Sequence, residues 1–149
     1  MNDSIAYEKC IVFGTGQFAF QCADLLRHLG RLDGVYEYGA FQQSGLEELC
    51  SRANYPYQRF RMKREADCFM EALCSDNQRT LILSASNIYI FPGFACNHSG
   101  IDIINYHPAL LASHLGRNTE AWAIFEQDEE TGVTWHEVIT EVDRGKVYI

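Results

Sequence analysis

No apolar run in these 149 residues approaches the roughly 20 that a membrane-spanning helix needs. The N-terminus, MNDSIAYEKC, also lacks the basic and apolar regions of a secretory signal, so a cytoplasmic chain with no membrane partner is expected. Low-complexity tracts, internal repeats and linkers are missing, which excludes disordered and fibrous classes. The six cysteines (Cys10, Cys22, Cys50, Cys68, Cys74, Cys96) form no CxxC pair and no Cys/His cluster; neither a zinc knuckle nor a disulfide framework is expected, and most read as small buried hydrophobes. No Lys/Arg stripe offsets the net charge of −8, so a nucleic-acid partner is disfavoured. The one basic patch, RFRMKRE (Arg59 to Glu65), reads as a solvated edge before a helix.

What is present is an ordinary globular composition, 47% hydrophobic and 21% charged, in a length that suits a single domain over 1–149. EKCIVFG (Glu8 to Gly14) is a short apolar run ending in glycine, and FAFQCADLLRHLG (Phe18 to Gly30) recurs at helical spacing. GVYEYGAF (Gly34 to Phe41) reads as a second strand. SGLEEL then opens a helix to about Ala53, with Ser44 and Glu47 at capping-box spacing. A short strand at Tyr57 to Phe60, a helix at Arg64 to Ser75 and two continuous apolar runs, Arg79 to Ser86 and Gly100 to His107, follow. A helix over Thr119 to Gln127 and two final strands, TGVTWHEV and GKVYI, complete the series. Alternating strands and helices predict an α/β, Rossmann-like three-layer fold: a mostly parallel central sheet flanked by helices, with antiparallel strands near the C-terminus. The tail VDRGKVYI stops inside what reads as a strand, which fits either a chain cut from something longer or a strand at a sheet edge.

GTGQFA (Gly14 to Ala19) sits between a strand and a helix, the context of the dinucleotide fingerprint. That cofactor would also need an acidic residue at the end of the second strand. Asp33 precedes the strand and Glu37 lies inside it, so a structural turn, or one touching a substrate, is the favoured reading.

Asn105 and His107 are two apart on a strand and therefore leave it on one face, while Tyr106 points away. Pro108 ends the strand, leaving both groups at the carboxyl edge of the sheet, where open α/β folds bind ligands. An amide donor beside an imidazole can stabilise negative charge on an attacked carbonyl oxygen. Asp143, beside a glycine in the turn before the last strand, supplies a carboxylate to orient His107 and accept a proton.

These residues belong to a longer match. INYHPALL followed by GRNTEAWAIFEQDEETGVTWHEVITEVDRGKVYI resembles the catalytic stretch of the folate-dependent formyltransferases: Asn-x-His-Pro-(Ser/Ala)-Leu-Leu, a glycine loop, a tryptophan-bearing helix, Thr-Gly-(Val/Ile)-Thr-x-His and Asp-x-Gly. The resemblance covers the second half; the first half shares only the strand, the glycine turn and the start of the helix. It implies that Asn105, His107 and Asp143 are catalytic, that Gly132, Thr134 and His136 form a supporting strand, and that no metal is needed. It further implies 10-formyltetrahydrofolate as formyl donor, its pterin walled by Ser86, Asn87, Ile88, Tyr89, Ile90 and Phe91 and by Val138, Ile139 and Glu141. On the acceptor side it implies Gly14, Thr15, Gly16, Gln17, Phe18 and Gly116. Departures from the pattern, Ala112 for proline, Leu115 for arginine and Thr119 for proline, fall in the loop facing the amine and so bear on the acceptor. The later helix, strand and C-terminal domain of larger relatives are not in the sequence; with the acidic charge, this makes tRNA an unfavoured acceptor.

The expected activity is therefore formyl transfer to a primary amine of a small-molecule or carrier-bound substrate, an amino-sugar nucleotide or an amino acid. Hydrolysis of the formyl donor by the same residues, and a non-catalytic folate- or nucleotide-binding module, are the alternatives; a homodimer or fusion to further domains stays open. Among the remaining residues, His136 reads as a hydrogen-bonded structural histidine, and His28, His98 and His114 show no ligand spacing. Trp122 to Phe125 read as helix core against the sheet, and EQDEE (Glu126 to Glu130) as a solvated turn.

Overall fold

A computed structural model describes residues 6–39, 44–111 and 113–149. In order these form β1 (Lys9–Gly14), α1 (Gly16–His28), β2 (Gly34–Tyr38), α2 (Leu46–Ala53), β3 (Tyr57–Phe60), α3 (Lys63–Ser75), β4 (Thr80–Ala85), α4 (Gly93–Cys96), β5 (Ile101–His107), α5 (Thr119–Glu126) and β6 (Thr134–Glu137). The six strands make one sheet in the order β3-β2-β1-β4-β5-β6. The first five are mutually parallel and β6 pairs antiparallel with β5. This is the expected Rossmann-like fold.

Strands that must bury both faces explain the continuous apolar runs. On β1, Ile11 and Phe13 enter a core that includes Met70 and Leu73 of α3 and Ala95 of α4, whereas Cys10 and Val12 enter the opposite core, with Ala19, Cys22, Ala23 and Leu26 of α1 and Leu46 and Cys50 of α2. Period-two alternation thus assigns each residue to a layer. The strand order reverses between β1 and β4, so the chain leaves these two neighbours in opposite directions and opens a crevice at their carboxyl ends.

Several elements differ from the sequence reading. The second strand ends at Tyr38, and the remainder of the run, to Phe41, lies partly outside the described residues. At α2 the cap is Gly45 in a left-handed conformation; the Ser44 hydroxyl accepts the Leu46 N–H, the geometry of a tight turn rather than of a capping box. Helix α4 is too short to leave a periodic signal. Cys10, Cys22 and Cys50 are buried, burial raising the Cys22 and Cys50 thiols to about 11, but Cys68 is exposed and Cys74 and Cys96 are partly so. On α5, Ile124 and Phe125 are 80% and 77% exposed and Trp122 is half-exposed. An eight-residue helix apolar on all sides specifies no face, so the expectation that Trp122 to Phe125 pack as core fails. Finally, the tail pairs with β6 through one bridge, Val147 with His136, and backbone bonds joining Trp135 to Tyr148 and Ile149 and Glu137 to Lys146. Among the described residues, no helix is long and apolar enough to cross a membrane.

Gly14 joins the fold to the crevice. A Cβ there would run into the carbonyl of Ala85 on β4 and touch the Cβ of Ala19 on α1. The first glycine of GTG is therefore required by close strand-to-strand and strand-to-helix packing. Gly14→Ala should destabilise the protein by about 1–3 kcal/mol, the usual range for overpacking, read as a lower urea midpoint at unchanged m-value.

Candidate active site

The carboxyl ends of β4 and β5, the loop after β4 and the turn after β6 enclose a cavity of about 510 Å³. This lies within the range of small-molecule sites. Antiparallel pairing of β5 with β6 places Asn105 opposite His136 and His107 opposite Thr134. Directly opposed residues share a face; accordingly Asn105 Nδ2 donates to His136 Nε2 at 3.2 Å. His136 Nδ1–H is committed to the Glu137 carbonyl at 2.8 Å, which fixes the tautomer and makes Nε2 the acceptor. The Asn105 Oδ1 in turn accepts the Ser84 hydroxyl at 2.7 Å, and Asn87 Nδ2 donates to Ser84 Oγ at 3.3 Å. With His136 neutral, every link in this series runs in one direction. Among the described residues nothing takes the second N–H of Asn105, which lines the cavity wall.

Asp143 lies in the turn after β6 in a left-handed conformation, φ 54°. Its Oδ2 accepts the Gly116 N–H at 2.7 Å and stands 3.7 Å from His107 Nδ1, while Oδ1 stands 3.5 Å from His136 Nε2. His107 is buried and points Nε2 at the His114 carbonyl, 2.9 Å away, so Nε2 carries a proton and Nδ1 faces the carboxylate. The two imidazoles and the carboxylate present ligand atoms within 4.8 Å of one another. A cation there would have to displace the Asn105 N–H from His136 Nε2. The glycine of the Asp-x-Gly motif explains how the turn comes this close: a Cβ on Gly145 would collide with the backbone carbonyl of Glu137.

The structure brings Asn105, His107 and Asp143 to one cavity, and the residues assigned to the pterin walls (Ser86 to Phe91, Val138, Ile139, Glu141) line that same cavity, as does Gly116. Gly14, Thr15, Gly16, Gln17 and Phe18 lie outside its lining, at the neighbouring end of β1 and the start of α1. There Thr15 Oγ1 donates to Glu37 at 2.5 Å, and Phe18 packs on Tyr106 and Trp135 with ring centres 4.4 and 6.1 Å away. Glu37, 2% exposed, also accepts the Tyr57 hydroxyl at 2.6 Å. The one acidic side chain in β2 is thus engaged by internal hydroxyls, which weighs against a ribose-holding role. Of the departures noted in the loop between β5 and α5, Ala112 lies outside the described residues. Sequence reasoning placed Ser84 at the start of the Ser84 to Phe94 stretch walling the pterin but missed its bond to Asn105, and it missed Arg117 as a cavity residue altogether. Ser84 carries a signal in hindsight, a polar residue in an apolar strand directly beside Asn105 in the β4–β5 register; Arg117 carries none.

The wall formed by the loop after β4 is held from below. Tyr89 is buried against Phe13 and Phe91, and its hydroxyl donates to Asp67 of α3 at 2.7 Å. Ile88 and Ile90, one residue to either side, are exposed. Asn87 Oδ1 accepts the Tyr89 N–H at 3.0 Å, tightening the loop into a turn.

The family model for formyl transferase matches residues 36–149. Two curated proteins named GDP-perosamine N-formyltransferase, from Brucella melitensis biotype 1 and Brucella abortus, are 29% identical over 69 residues, 46% of this chain and 27% of theirs. The matched stretch therefore spans about a quarter of those relatives' length. Among solved structures, phosphoribosylglycinamide formyltransferase from Streptococcus pneumoniae TIGR4 superposes with a TM-score of 0.77 at 20% identity, over 95% of this chain and 79% of that one. Glycinamide ribonucleotide transformylase 1 from Symbiobacterium toebii gives 0.75 at 21%, over 95% and 70%. These structures share the fold. With three quarters of its length matched by the family model, the chain belongs to the formyl transferase family.

Two predictions follow from how the site is held. Gly145→Ala should displace the Asp143 turn, costing about 1–3 kcal/mol and shifting the His107 and His136 imidazole resonances in NMR spectra, whereas a remote control such as Glu71→Gln should shift neither. A second concerns Asp67, whose carboxyl is held below its ordinary value by the Lys63 ammonium and further by the Tyr89 hydroxyl. A depressed carboxyl contributes stability that is present above its unfolded value and lost as pH falls through the lower folded one. Asp67→Asn should flatten the acid limb of stability below roughly pH 4, measured as urea midpoints across that window.

Proposed function

We propose that the chain transfers a formyl group from 10-formyltetrahydrofolate to a primary amine. The observation that carries this reading is the convergence of Asn105, His107 and Asp143 on a single cavity whose other walls are the loops after β4 and β6 and the segment Gly116 to Glu120 leading into α5. The cavity suits such a donor on its own chemistry. It combines the exposed apolar side chains of Ile88 and Ile90, able to sandwich a flat ring, with backbone amides of 138–142 able to read that ring's polar edge.

When bound, the donor supplies a formyl carbon attached to a nitrogen leaving group. The uncommitted N–H of Asn105 is positioned to donate to the formyl oxygen as it gains negative charge, a contribution worth roughly 2.7–4 kcal/mol for a pre-aimed donor. His107, beside it on the strand, closes the same face of the cavity and is orientated by the His114 carbonyl at Nε2, with Asp143 3.7 Å from Nδ1. Asp143 keeps one oxygen on the Gly116 N–H and turns the other toward His136. It is the carboxylate available to take the attacking amine's proton, directly or through one water, and to return it toward the leaving nitrogen. No protein nucleophile takes part.

The acceptor is a small-molecule or carrier-bound amine in a cytoplasmic setting, with a net charge of −8 weighing against tRNA. The relatives named GDP-perosamine N-formyltransferase favour a nucleotide-linked amine over a carrier-bound amino acid. Gly14 to Phe18, at the adjacent edge of the crevice, would meet the part of that acceptor remote from its amine.

Mass spectrometry of the amine product after incubation with the donor tests this reading. Asn105→Ala and Asp143→Asn should each lower turnover by roughly 100- to 1,000-fold, with donor affinity by calorimetry changed less than about tenfold, the size of one lost neutral hydrogen bond. Formate release by the wild type without any amine would replace the transferase by a hydrolase. Unchanged turnover in both variants would remove the catalytic assignment.

A further inference from the structure

We propose that His114 and Asp128 are positioning residues: their imidazole–carboxylate bond locks the loop between β5 and α5 in the conformation that holds both His107 and Asp143. This rests on the formyl-transfer reading above. The loop makes two contacts with the catalytic group. The His114 carbonyl accepts His107 Nε2–H at 2.9 Å, and the Gly116 N–H donates to Asp143 Oδ2 at 2.7 Å. Both contacts use the backbone, so they depend on where the loop lies and not on what side chains it carries.

The position of His114 is not one the backbone adopts unaided. Its φ is +50°, in the left-handed region that residues with a Cβ occupy only when their surroundings impose it. The surroundings that do so are at the far end of α5. His114 Nε2 lies 2.5 Å from Asp128 Oδ2, with Glu126 Oε2 at 4.0 Å, and the imidazole is only 11% exposed. Asp128 is itself fixed, its backbone N–H bonding the Ala123 carbonyl at the C-terminus of the helix. At the other end of the loop the Thr119 hydroxyl donates to the Pro108 carbonyl at 2.9 Å. Loop and helix thus close on themselves, with the His114–Asp128 bond as the clasp. One residue of the acidic run Glu126 to Glu130 is therefore a structural acceptor, not part of a solvated turn.

The consequence falls on the His107 tautomer. A neutral imidazole carries one N–H; while the His114 carbonyl faces Nε2, the proton stays there and Nδ1 is left opposite Asp143. Release of the clasp withdraws the carbonyl, and the carboxylate is then the acceptor nearest to His107, which draws the proton to Nδ1. Asp143 loses the Gly116 N–H in the same movement.

The test compares wild type with His114→Ala, Asp128→Ala and Asp128→Asn, the last keeping an acceptor oxygen for His114. Long-range 1H–15N spectra of the free protein should show His107 as the Nε2–H form in wild type and Asp128→Asn, and a shift toward Nδ1–H in the two alanine variants. In the transfer assay the alanine variants should lose at least tenfold in kcat, with KM for the donor changed less than threefold, and Asp128→Asn should recover to within threefold of wild type. Unaltered His107 resonances in both alanine variants would overturn the proposal, as would a loss confined to KM. The spectra need no substrate, so a wild type that shows the expected tautomers yet transfers no formyl group would sink the formyl-transfer reading and leave the clasp standing.

Discussion

The register between β5 and β6 is the constraint on which the site depends. Pairing Asn105 with His136 and His107 with Thr134 puts an amide and an imidazole on one face at hydrogen-bond distance, with the second imidazole next along the strand. A slip of one residue would turn each of these side chains to the opposite face. What holds the register is ordinary packing. Ile101 and Ile103 of β5 are fixed in the core beneath α3 and α4, and β6 continues into a turn whose Val138 N–H bonds the Ile103 carbonyl. The geometry of the site is thereby set in part by Ile101 and Ile103, which lie outside the cavity lining.

From that register the polar groups acquire direction one at a time. Because the Glu137 carbonyl can only accept, a neutral His136 presents a bare Nε2 to Asn105; because that nitrogen can only accept, the Asn105 amide turns its nitrogen that way and its oxygen to Ser84. An asparagine at a strand end has no intrinsic preference between its two flipped forms. Here the preference is imposed through two neighbours and ends in a backbone group that cannot reverse. The same logic operates on His107, with the His114 carbonyl as the fixed end. His107 is tied to a main-chain carbonyl directly and Asn105 through His136, so two side chains at the end of β5 take their orientation from backbone groups.

Much of this was legible in the sequence, and the boundary between what was and was not is physical. Strands buried on both faces announce themselves as apolar runs, and Asn105 and His107 stand out because polar side chains interrupt one at its carboxyl end. Gly145 and Asp143 are readable as a carboxylate and a turn glycine that match the Asp-x-Gly motif, and the contact a Cβ at Gly145 would make with the Glu137 carbonyl supplies the physical reason for the glycine. Packing partners are less visible. Thr119 to Glu126 is helical as its composition indicates, yet its apolar side chains lie in solvent, since hydrophobicity states that a surface is costly to expose and not which neighbour covers it. The Ser84–Asn105 and His114–Asp128 bonds were unreadable for a related reason: their partners are separated by 21 and 14 residues and meet only through tertiary geometry.

The glycine turn at the start of the fold shows how one motif serves packing and leaves room for recognition. Gly14 is required by the Ala85 carbonyl, so its presence needs no ligand to explain it. Thr15 then reaches back to Glu37, whose second oxygen takes the Tyr57 hydroxyl, tying the turn to β2 and β3 through a buried carboxylate. A carboxylate enclosed in this way is stabilised only while both hydroxyls stay in place, so the turn cannot shift without exposing the cost of an unpaired buried charge. The edge of the crevice beside β1 is thus tied by side-chain bonds to β2 and β3, as the edge beside β5 is tied through Ser84, Asn105 and His136.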